Sequence, residues 1–364
     1  LDFGLYGWSL SRYSGCWVGL KCVHDTVEAS ASVSVSLDRI QTEVPEDFIL
    51  PSGGLHIRWP DGFLEQEERL HRYKLEAVEA FGRTNPIDRQ IMGDYDAHTG
   101  IVTTGKSYLD VRRALLELNI DEIRAKALGL KLYKVGMSWP LEPNGIRNFT
   151  QGLKRLIVVE EKRGLIEQQI REILYGVSNA PSIVGKRAEN GENLFPAHGR
   201  LEAMDIALSI GERLASSTGN EDLTAQIETL KARQTRHSST SPGMIRTPYF
   251  CAGCPHNSST VVPDGSRAMA GIGCHFMAAW MDRNTAGFTQ MGAEGSSWIG
   301  ESPFSETKHV FQNIGDGTYF HSGILAIRAS VTAGVNITYK ILHNDAVEMT
   351  GGQRVDGALD PAII

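Results

Sequence analysis

A chain of 364 residues, 41% hydrophobic and 22% charged, is long enough for two or three domains with their own cores. Its net charge of −7, with both signs interspersed, leaves no basic footprint for nucleic acid, and no apolar run is long enough to span a bilayer. Five cysteines, an odd number and far below disulfide-scaffold density, with no signal peptide at the start, predict a protein of the reduced cytoplasm. The chain starts at Leu1 without an initiator Met and stops soon after a polar loop, so it reads as an internal fragment of a longer protein.

Within residues 1–36 an apolar segment at 16–31 predicts a helix, followed by a short β-like run. Cys16 and Cys22 lie six apart among apolar neighbours, a spacing that suits core thiols better than metal ligands. Residues 37–95 form a connecting region. Pro and Gly punctuate 45–60, which predicts an extended surface excursion, and an amphipathic helix follows at 64–81 with Leu64, Leu70, Tyr73, Leu75, Val78 and Phe81. Between 96 and 180, strands at 101–105, 131–137 and 155–162 alternate with helices at 107–118, 142–153 and 164–176, the signature of a parallel sheet. Gly105 follows the first strand, but its surroundings lack the other glycines of a phosphate loop. Glu160-Glu161-Lys162 reads as a solvated strand end. Residues 181–245 look looser: a polar loop, helices at 204–215 and 222–234, and a Ser/Thr/Arg linker at 233–244.

The chemistry gathers in residues 246–364. Cys251 and Cys254, then Cys274 after nineteen intervening residues, supply three thiols. Three readings stay open on that pattern: an iron–sulfur cluster, unligated thiols, or zinc with His256 or His275 as fourth ligand. Gly253, Gly271 and Gly273 suit backbone passing close to a ligand. Met291-Gly292-Ala293-Glu294-Gly295 fits either a glycine-rich helix start facing a ligand or a tight helix contact. Next come a strand at 309–314, Gly315-Asp316-Gly317, a helix at 320–333 with Ile324, Ile327 and Val331 on one face, and a strand at 336–342. This is a βαβ unit, hence parallel with a right-handed crossover. Asp316 then sits at the carboxyl end of the first strand and Asn344 just past the second, where open α/β sheets bind ligands. An acid and an amide at adjacent strand ends suit Mg²⁺, which in turn grips phosphates. Gly317 and Thr318 are placed to donate N–H groups to phosphate oxygens. His321 and His343 read as simply hydrogen-bonded residues.

Gly315-Asp316-Gly317, twenty-six residues and then Asn344 resembles the diphosphate motif of thiamine-diphosphate enzymes. Phe250-Cys251-Ala252-Gly253-Cys254-Pro255-His256-Asn257, Gly271-Ile272-Gly273-Cys274 and Met349-Thr350-Gly351-Gly352-Gln353 are similar to the 2-oxoacid:ferredoxin oxidoreductases, and among them the indolepyruvate branch. Residues 101–108 and 158–162 fit the same family. The resemblance implies doubly wound α/β domains. Residues 1–36 would be the tail of a pyrimidine-binding domain, 96–180 a transketolase-C-like domain, 181–245 a helical linker region, and 246–364 a truncated diphosphate and Mg²⁺-binding domain.

The same resemblance implies Mg²⁺ ligands at Asp316, Asn344 and the carbonyl of Ala346. It puts Gly315, Gly317, Thr318, Met349, Thr350, Gly273 and Cys274 around thiamine diphosphate, and Cys251, Cys254 and Cys274 on a [4Fe–4S] cluster whose fourth cysteine lies downstream in relatives. The family decarboxylates a 2-oxo acid oxidatively, passing the acyl group to coenzyme A and electrons to ferredoxin. Its activating glutamate lies in a domain mostly absent here, so no catalytic residue is named; the missing flanking domains and a homo-oligomer are the expected partners. Two rival readings remain: a non-redox thiamine-diphosphate decarboxylase or synthase, and a non-catalytic zinc-knuckle module.

Overall fold

The computed structural model describes residues 1–36, 38–59, 61–238 and 247–364, without the side chains of 237 and 238. The chain divides into two compact units, Leu1–Ser241 and Pro242–Ile364.

The first unit opens with helix α1, Asp2–Ser14, which Gly15 ends in the left-handed conformation at φ 69°. The helix predicted at 16–31 shrinks to α2, His24–Val27, and the β-like run after it is irregular. Trp17 is 99% exposed and Cys22 is exposed, so this stretch buries no apolar face that would sustain a helix. Cys22 is therefore not a core thiol; Cys16 is half-buried against the cluster of Tyr6, Leu10, Val78 and Phe81. The amphipathic helix forms as α3, Phe63–Arg69, a π turn at Leu70–Lys74, and α4, Leu75–Thr84. Only its second half is buried, through Ala77, Val78, Ala80 and Phe81; Leu64 faces solvent.

A five-stranded sheet follows. Along the chain come β1 (Arg89–Met92), β2 (Thr99–Thr104), α5 (Gly105–Glu117), α6 (Glu122–Ala127), β3 (Leu130–Val135), α7 (Pro143–Thr150), β4 (Arg155–Val159), α8 (Leu165–Ile173), β5 (Ser182–Val184), α9 (Ala203–Thr218) and α10 (Glu221–Ser238). The strand order is β1-β3-β2-β4-β5, all parallel except the edge strand β1, which the sequence pattern did not reveal. Strand alternation sends successive apolar residues to opposite faces. Ile101, Leu132 and Ile157 pack with Val111 and Leu115 of α5 and with Ile206, Ile210 and Leu214 of α9. Val102, Tyr133 and Val158 pack with Ile146 and Phe149 of α7 and Ile166 and Ile170 of α8. Helices on both faces make the sheet doubly wound, as expected.

The supposed linker is not loose. β5 extends the sheet, α9 covers one face, and α10 packs on the same core through Leu223, Ile227 and Leu230. Residues 233–238 continue α10 rather than beginning a linker, and 239–244 of the predicted linker lie outside the described residues. Amphipathic helices beside a sheet with an open face find burial there, which loop-like composition at their ends did not announce.

The second unit carries α11 (His256–Ser259), β6 (Arg267–Met269), a 3₁₀ turn at Cys274–Trp280, α12 (Ser296–Glu301) and β7 (Val310–Gly315). From β7 the chain enters α13 (Asp316–Thr318), a π turn at Tyr319–Gly323 and α14 (Ile324–Ala333), then β8 (Ile337–Leu342). A hairpin of β9 (Ala346–Val347) and β10 (Gln353–Arg354) follows. β6, β7 and β8 are parallel in that order, with Gly315 opposite Leu342, so the predicted βαβ unit is present. Its helix buries Gly323, Ala326 and Ser330, whereas Ile324 and Val331 are exposed, against the expected inward face. The helix crosses β7 so closely that a side chain on Gly323 would meet Ile314 Cδ1 at 2.5 Å. Only small residues fit that contact. No helix among the described residues is long and apolar enough to cross a membrane.

Candidate functional site

At the carboxyl ends of β7 and β8, Asp316 is 3% exposed and its carboxylate organises the loop beside it. Oδ1 accepts the N–H of Gly317 at 2.8 Å; Oδ2 accepts those of Asn344 at 2.9 Å and Asp345 at 2.8 Å. Three backbone N–H groups fix the carboxylate in place. Asn344 is exposed, and its Oδ1 accepts the N–H of Ala346 at 3.2 Å. Asp345 takes a left-handed φ of 57°, which turns its carboxylate toward His343 Nε2 at 3.2 Å. Ligand atoms of Asp316, His343 and Asp345 all lie within 4.8 Å of one another, close enough to share a cation. The sequence pattern singled out Asp316 and Asn344; it read His343 as simply hydrogen-bonded and gave Asp345 no role. Thr318 is buried at the start of the helix, and a Cβ on Gly317 would make ordinary contact, 3.4 Å from Val347 Cγ2.

Behind Asp316 lies a group of buried polar side chains that lack partners. Glu294 and Asn313 are fully buried and His275 is 3% exposed. Glu294 Oε1, His275 Nε2 and both amide atoms of Asn313 make no hydrogen bond. All three residues crowd Gly271, where a Cβ would lie 2.7 Å from Asn313 O, 2.7 Å from His275 Nε2 and 3.1 Å from Glu294 Cγ. Burial, and then the neighbouring His256, lower His275 to a pKa of about 4 against an opposing pull from Asp316, so its imidazole is neutral at pH 7. Burial also raises the Glu294 carboxyl above its usual value, although Oε2 accepts the N–H of Gly292 at 2.7 Å. Buried orphans of this kind are rare in protein interiors, and three of them clustered around one glycine call for an explanation. Sequence reading missed Asn313 and took His275 only as a zinc candidate. The available signal was Gln312-Asn313, two amides inside an apolar strand. Glycine-rich 291–295 leads into α12 and makes the tight contact of its second reading: Gly292 at φ 96° abuts Ser322, and Gly295 at φ 87° abuts Tyr339, while Glu294 belongs to the orphan group.

Cys251 is exposed, and Cys254 and Cys274 are half-buried. Burial raises the Cys274 thiol, and the charges of Cys254, Cys251 and Glu348 push it further, so the three thiols share one neighbourhood. They do not converge on a single point at metal-binding distance among the described residues, as tetrahedral zinc would require. Cys274 follows Gly273, whose φ of 149° only glycine tolerates beside the His275 ring. Met349 and Thr350 are exposed in the hairpin turn, which Thr350 and Gln353 close by two side-chain hydrogen bonds at 2.8 and 2.7 Å.

The charged residues at the corresponding strand ends of the first unit are paired. Glu160 is 4% exposed and accepts the N–H groups of Leu165, Ile166 and Glu167, each at 2.9 Å, capping α8; burial raises its carboxyl. Lys106, next to Gly105, bonds Asp110 at 2.8 Å, Glu161 at 3.1 Å and Leu201 O at 3.0 Å. Glu160-Glu161 is thus an internal clasp and not the solvated strand end expected.

Residues 271–360 match the family of the C-terminal TPP-binding domain of thiamine pyrophosphate (thiamine diphosphate) enzymes, which puts the chain's second unit in that class. Residues 89–237 match the indolepyruvate oxidoreductase domain. It is 27% identical over 304 residues to the indolepyruvate oxidoreductase subunit IorA of Pyrococcus abyssi, covering 78% of this chain and 44% of that one. The Archaeoglobus fulgidus subunit of the same name is 29% identical over 296 residues, covering 77% and 42%. That of Methanothermobacter thermautotrophicus is 24% identical over 335 residues, covering 86% and 50%. The chain spans about half the length, or less, of these curated relatives.

Proposed function

We propose that this chain supplies the cation- and diphosphate-holding part of a thiamine-diphosphate pocket in an oxidoreductase for aromatic 2-oxo acids such as indolepyruvate. The observation that carries the reading is Asp316: a buried carboxylate at a parallel strand end, fixed by three backbone N–H groups. Its fit to Mg²⁺ lies in the donor set, since anchored carboxylate oxygens and a loop carbonyl are hard ligands. Asp316, Asn344 and the Ala346 carbonyl hold the ion, with Asp345 beside them. Gly315, Gly317 and Thr318 border the diphosphate; Gly273, Cys274, Met349 and Thr350 line the way to the reacting centre.

When bound, thiamine diphosphate supplies the carbon nucleophile and electron sink for decarboxylating a 2-oxo acid. This chain's residues bind and orient it. Asp316 is held rigidly by backbone N–H groups, the glycines let backbone approach, and His275, neutral at pH 7, and Glu294 offer polar groups in a water-poor interior. Cys251, Cys254 and Cys274, with a fourth ligand from elsewhere, would hold a [4Fe–4S] cluster, which would supply electron transfer to ferredoxin. Coenzyme A takes the acyl group, flanking domains of the same protein complete the pocket, the assembly is a homo-oligomer, and five free thiols suit the cytoplasm.

The test is a titration of thiamine diphosphate at saturating Mg²⁺ into the parent chain and the Asp316→Ala variant. The affinity is expected to fall at least about 100-fold. Equal affinity overturns the cofactor reading. In the protein carrying its flanking domains, absence of iron–sulfur absorbance would favour a non-redox decarboxylase instead.

A further inference from the structure

Residues 250–257 form a tight turn anchored between two rings. Phe250 and His256 are both buried, and their rings meet edge to face with centroids 5.9 Å apart. Between these anchors Cys254 N–H donates to Cys251 O at 3.0 Å. Gly253 sits at φ 76°, the positive φ that glycine supplies at the third position of a type II turn. Beyond the turn, Asn257 N–H donates to Cys254 O at 3.1 Å, and Arg283 Nη1 donates to Asn257 O at 2.5 Å and to Thr260 Oγ1 at 3.1 Å. The segment is thus fixed on both sides.

A turn closed in this way keeps its first and fourth Cα atoms within about 7 Å, and a disulfide spans Cα atoms about 4.4–6.8 Å apart. Cys251 is exposed and Cys254 half-buried, both as free thiols. The outer sulfur is open to a reagent in solution, and the turn holds the inner one beside it. Cys274 shares the neighbourhood but arrives on a separate segment after Gly273, so no turn holds it against either. Because the anchored turn already holds Cys251 and Cys254 together, little ordering is left for a bond between them to cost.

We infer that Cys251 and Cys254 form a redox-active dithiol, closed to an intramolecular disulfide by a small-molecule disulfide such as oxidised glutathione whenever the pair carries no iron–sulfur cluster. Cys251 sulfur attacks one sulfur of the reagent, whose S–S bond breaks and releases one thiol. Cys254 sulfur then attacks Cys251 sulfur, the mixed bond breaks, and the second thiol leaves. Two cysteine thiols are oxidised by two electrons, one reagent disulfide is reduced to two thiols, and the cysteine protons end on the departing thiols. A sulfur in a disulfide has no thiolate to offer a metal, so the bond and a cluster exclude each other. Competition with a cluster rests on the proposed function; closure of the disulfide rests on the turn alone.

The experiment incubates the chain as it stands with oxidised glutathione, alkylates it in denaturant and maps the cysteines by peptide mass spectrometry. Alkylation at five cysteines before oxidation should fall to three after it, with Cys251 and Cys254 joined and dithiothreitol restoring all five. Gly253→Ala, strained at φ 76°, should move the glutathione ratio for half-oxidation about fivefold toward the oxidising side. Cys254→Ser should stop the exchange with glutathione held on Cys251, and it serves as the second arm if Gly253→Ala does not fold. A bond from either cysteine to Cys274, glutathione retained on Cys251 of the parent chain, no modification at either position, or an unchanged ratio in Gly253→Ala overturns the inference. In the protein carrying its flanking domains, oxidised glutathione should join the pair only after a chelator has removed the iron; joining with the cluster retained overturns the competition. If that protein carries no iron, the cluster reading fails while the disulfide in this chain stands.

Discussion

The two units solve the same architectural problem and end differently. Both build parallel strands with helical crossovers, and both bring charged residues to the carboxyl ends of those strands. In the first unit those charges are spent internally: Glu160 caps α8, and Lys106 is held by Asp110, Glu161 and the Leu201 carbonyl. In the second, Asp316 fixes a loop beside its own strand, and behind it Glu294, His275 and Asn313 are buried with unpaired atoms. The charged groups at the first unit's strand ends have partners, whereas the second unit leaves a cluster of buried polar atoms without one. The difference lies in hydrogen-bond accounting, since the folds are alike.

That contrast can be broken by substitution. Removing the clasp should damage the first unit most: Glu160→Ala leaves three buried N–H groups without an acceptor and should cost about 3 kcal/mol in denaturant unfolding. A loss near zero would mean that water replaces the carboxylate and the strand end is not closed. In the second unit the reverse is expected. Asn313→Leu removes two unpaired amide atoms from a fully buried position, so unfolding should show no loss, or a gain of about 1 kcal/mol. Thiamine-diphosphate affinity should fall about tenfold in the same variant. A large loss of stability would show that the amide is already satisfied and the comparison false.

A subtler probe sits at the start of the first sheet. Both backbone donors to Asp88, from Gly136 at 2.7 Å and Met137 at 2.9 Å, bond its Oδ1, leaving Oδ2 buried and unpaired. Burial raises the folded carboxyl from 3.8 to about 6, against those two bonds. The folded state therefore keeps its proton over a range in which the unfolded state has lost it. Stability falls as pH rises from about 4 to about 6 and does not recover above. Asp88→Asn keeps the Oδ1 acceptor without the charge, so it should flatten that decline and gain on the order of 1 kcal/mol at pH 8. A parallel pH profile in parent and variant would refute the assignment. The smallest effect is expected at Val331, 75% exposed on α14: Val331→Lys should change stability by less than about 0.5 kcal/mol. A loss of 2 kcal/mol or more would mean that this face is covered.

Much of the frame was legible because it rests on local pattern. The strands at 101–105, 131–137 and 155–162 and the helices between them appear within a few residues of their expected places, since apolar runs and period-3.6 faces report burial directly. The βαβ unit around Asp316 was equally plain, its glycines and β-branched strands leaving little alternative. Illegible were features set by a partner distant in the chain. β1 pairs antiparallel with β3, about forty residues on, and is too short to carry a pattern. Residues 16–31 have helical composition but no face to bury, and α14 turns small residues inward because β7 lies too close for Ile324.

The candidate site divides in the same way. Sequence alone determined that an acid would stand at one strand end and an amide at the next, because a glycine turn after a parallel strand can face only the carboxyl edge of the sheet. It also determined that three thiols would lie in the same unit. Tertiary structure alone decided that Asp316 would be held by N–H groups 28 and 29 residues away, and that His343 and Asp345 would join it. The same is true of Glu294, His275 and Asn313, which meet around one glycine with atoms left unpaired. Whether a polar atom is satisfied depends on what the fold brings to it from elsewhere in the chain, and no local pattern records that.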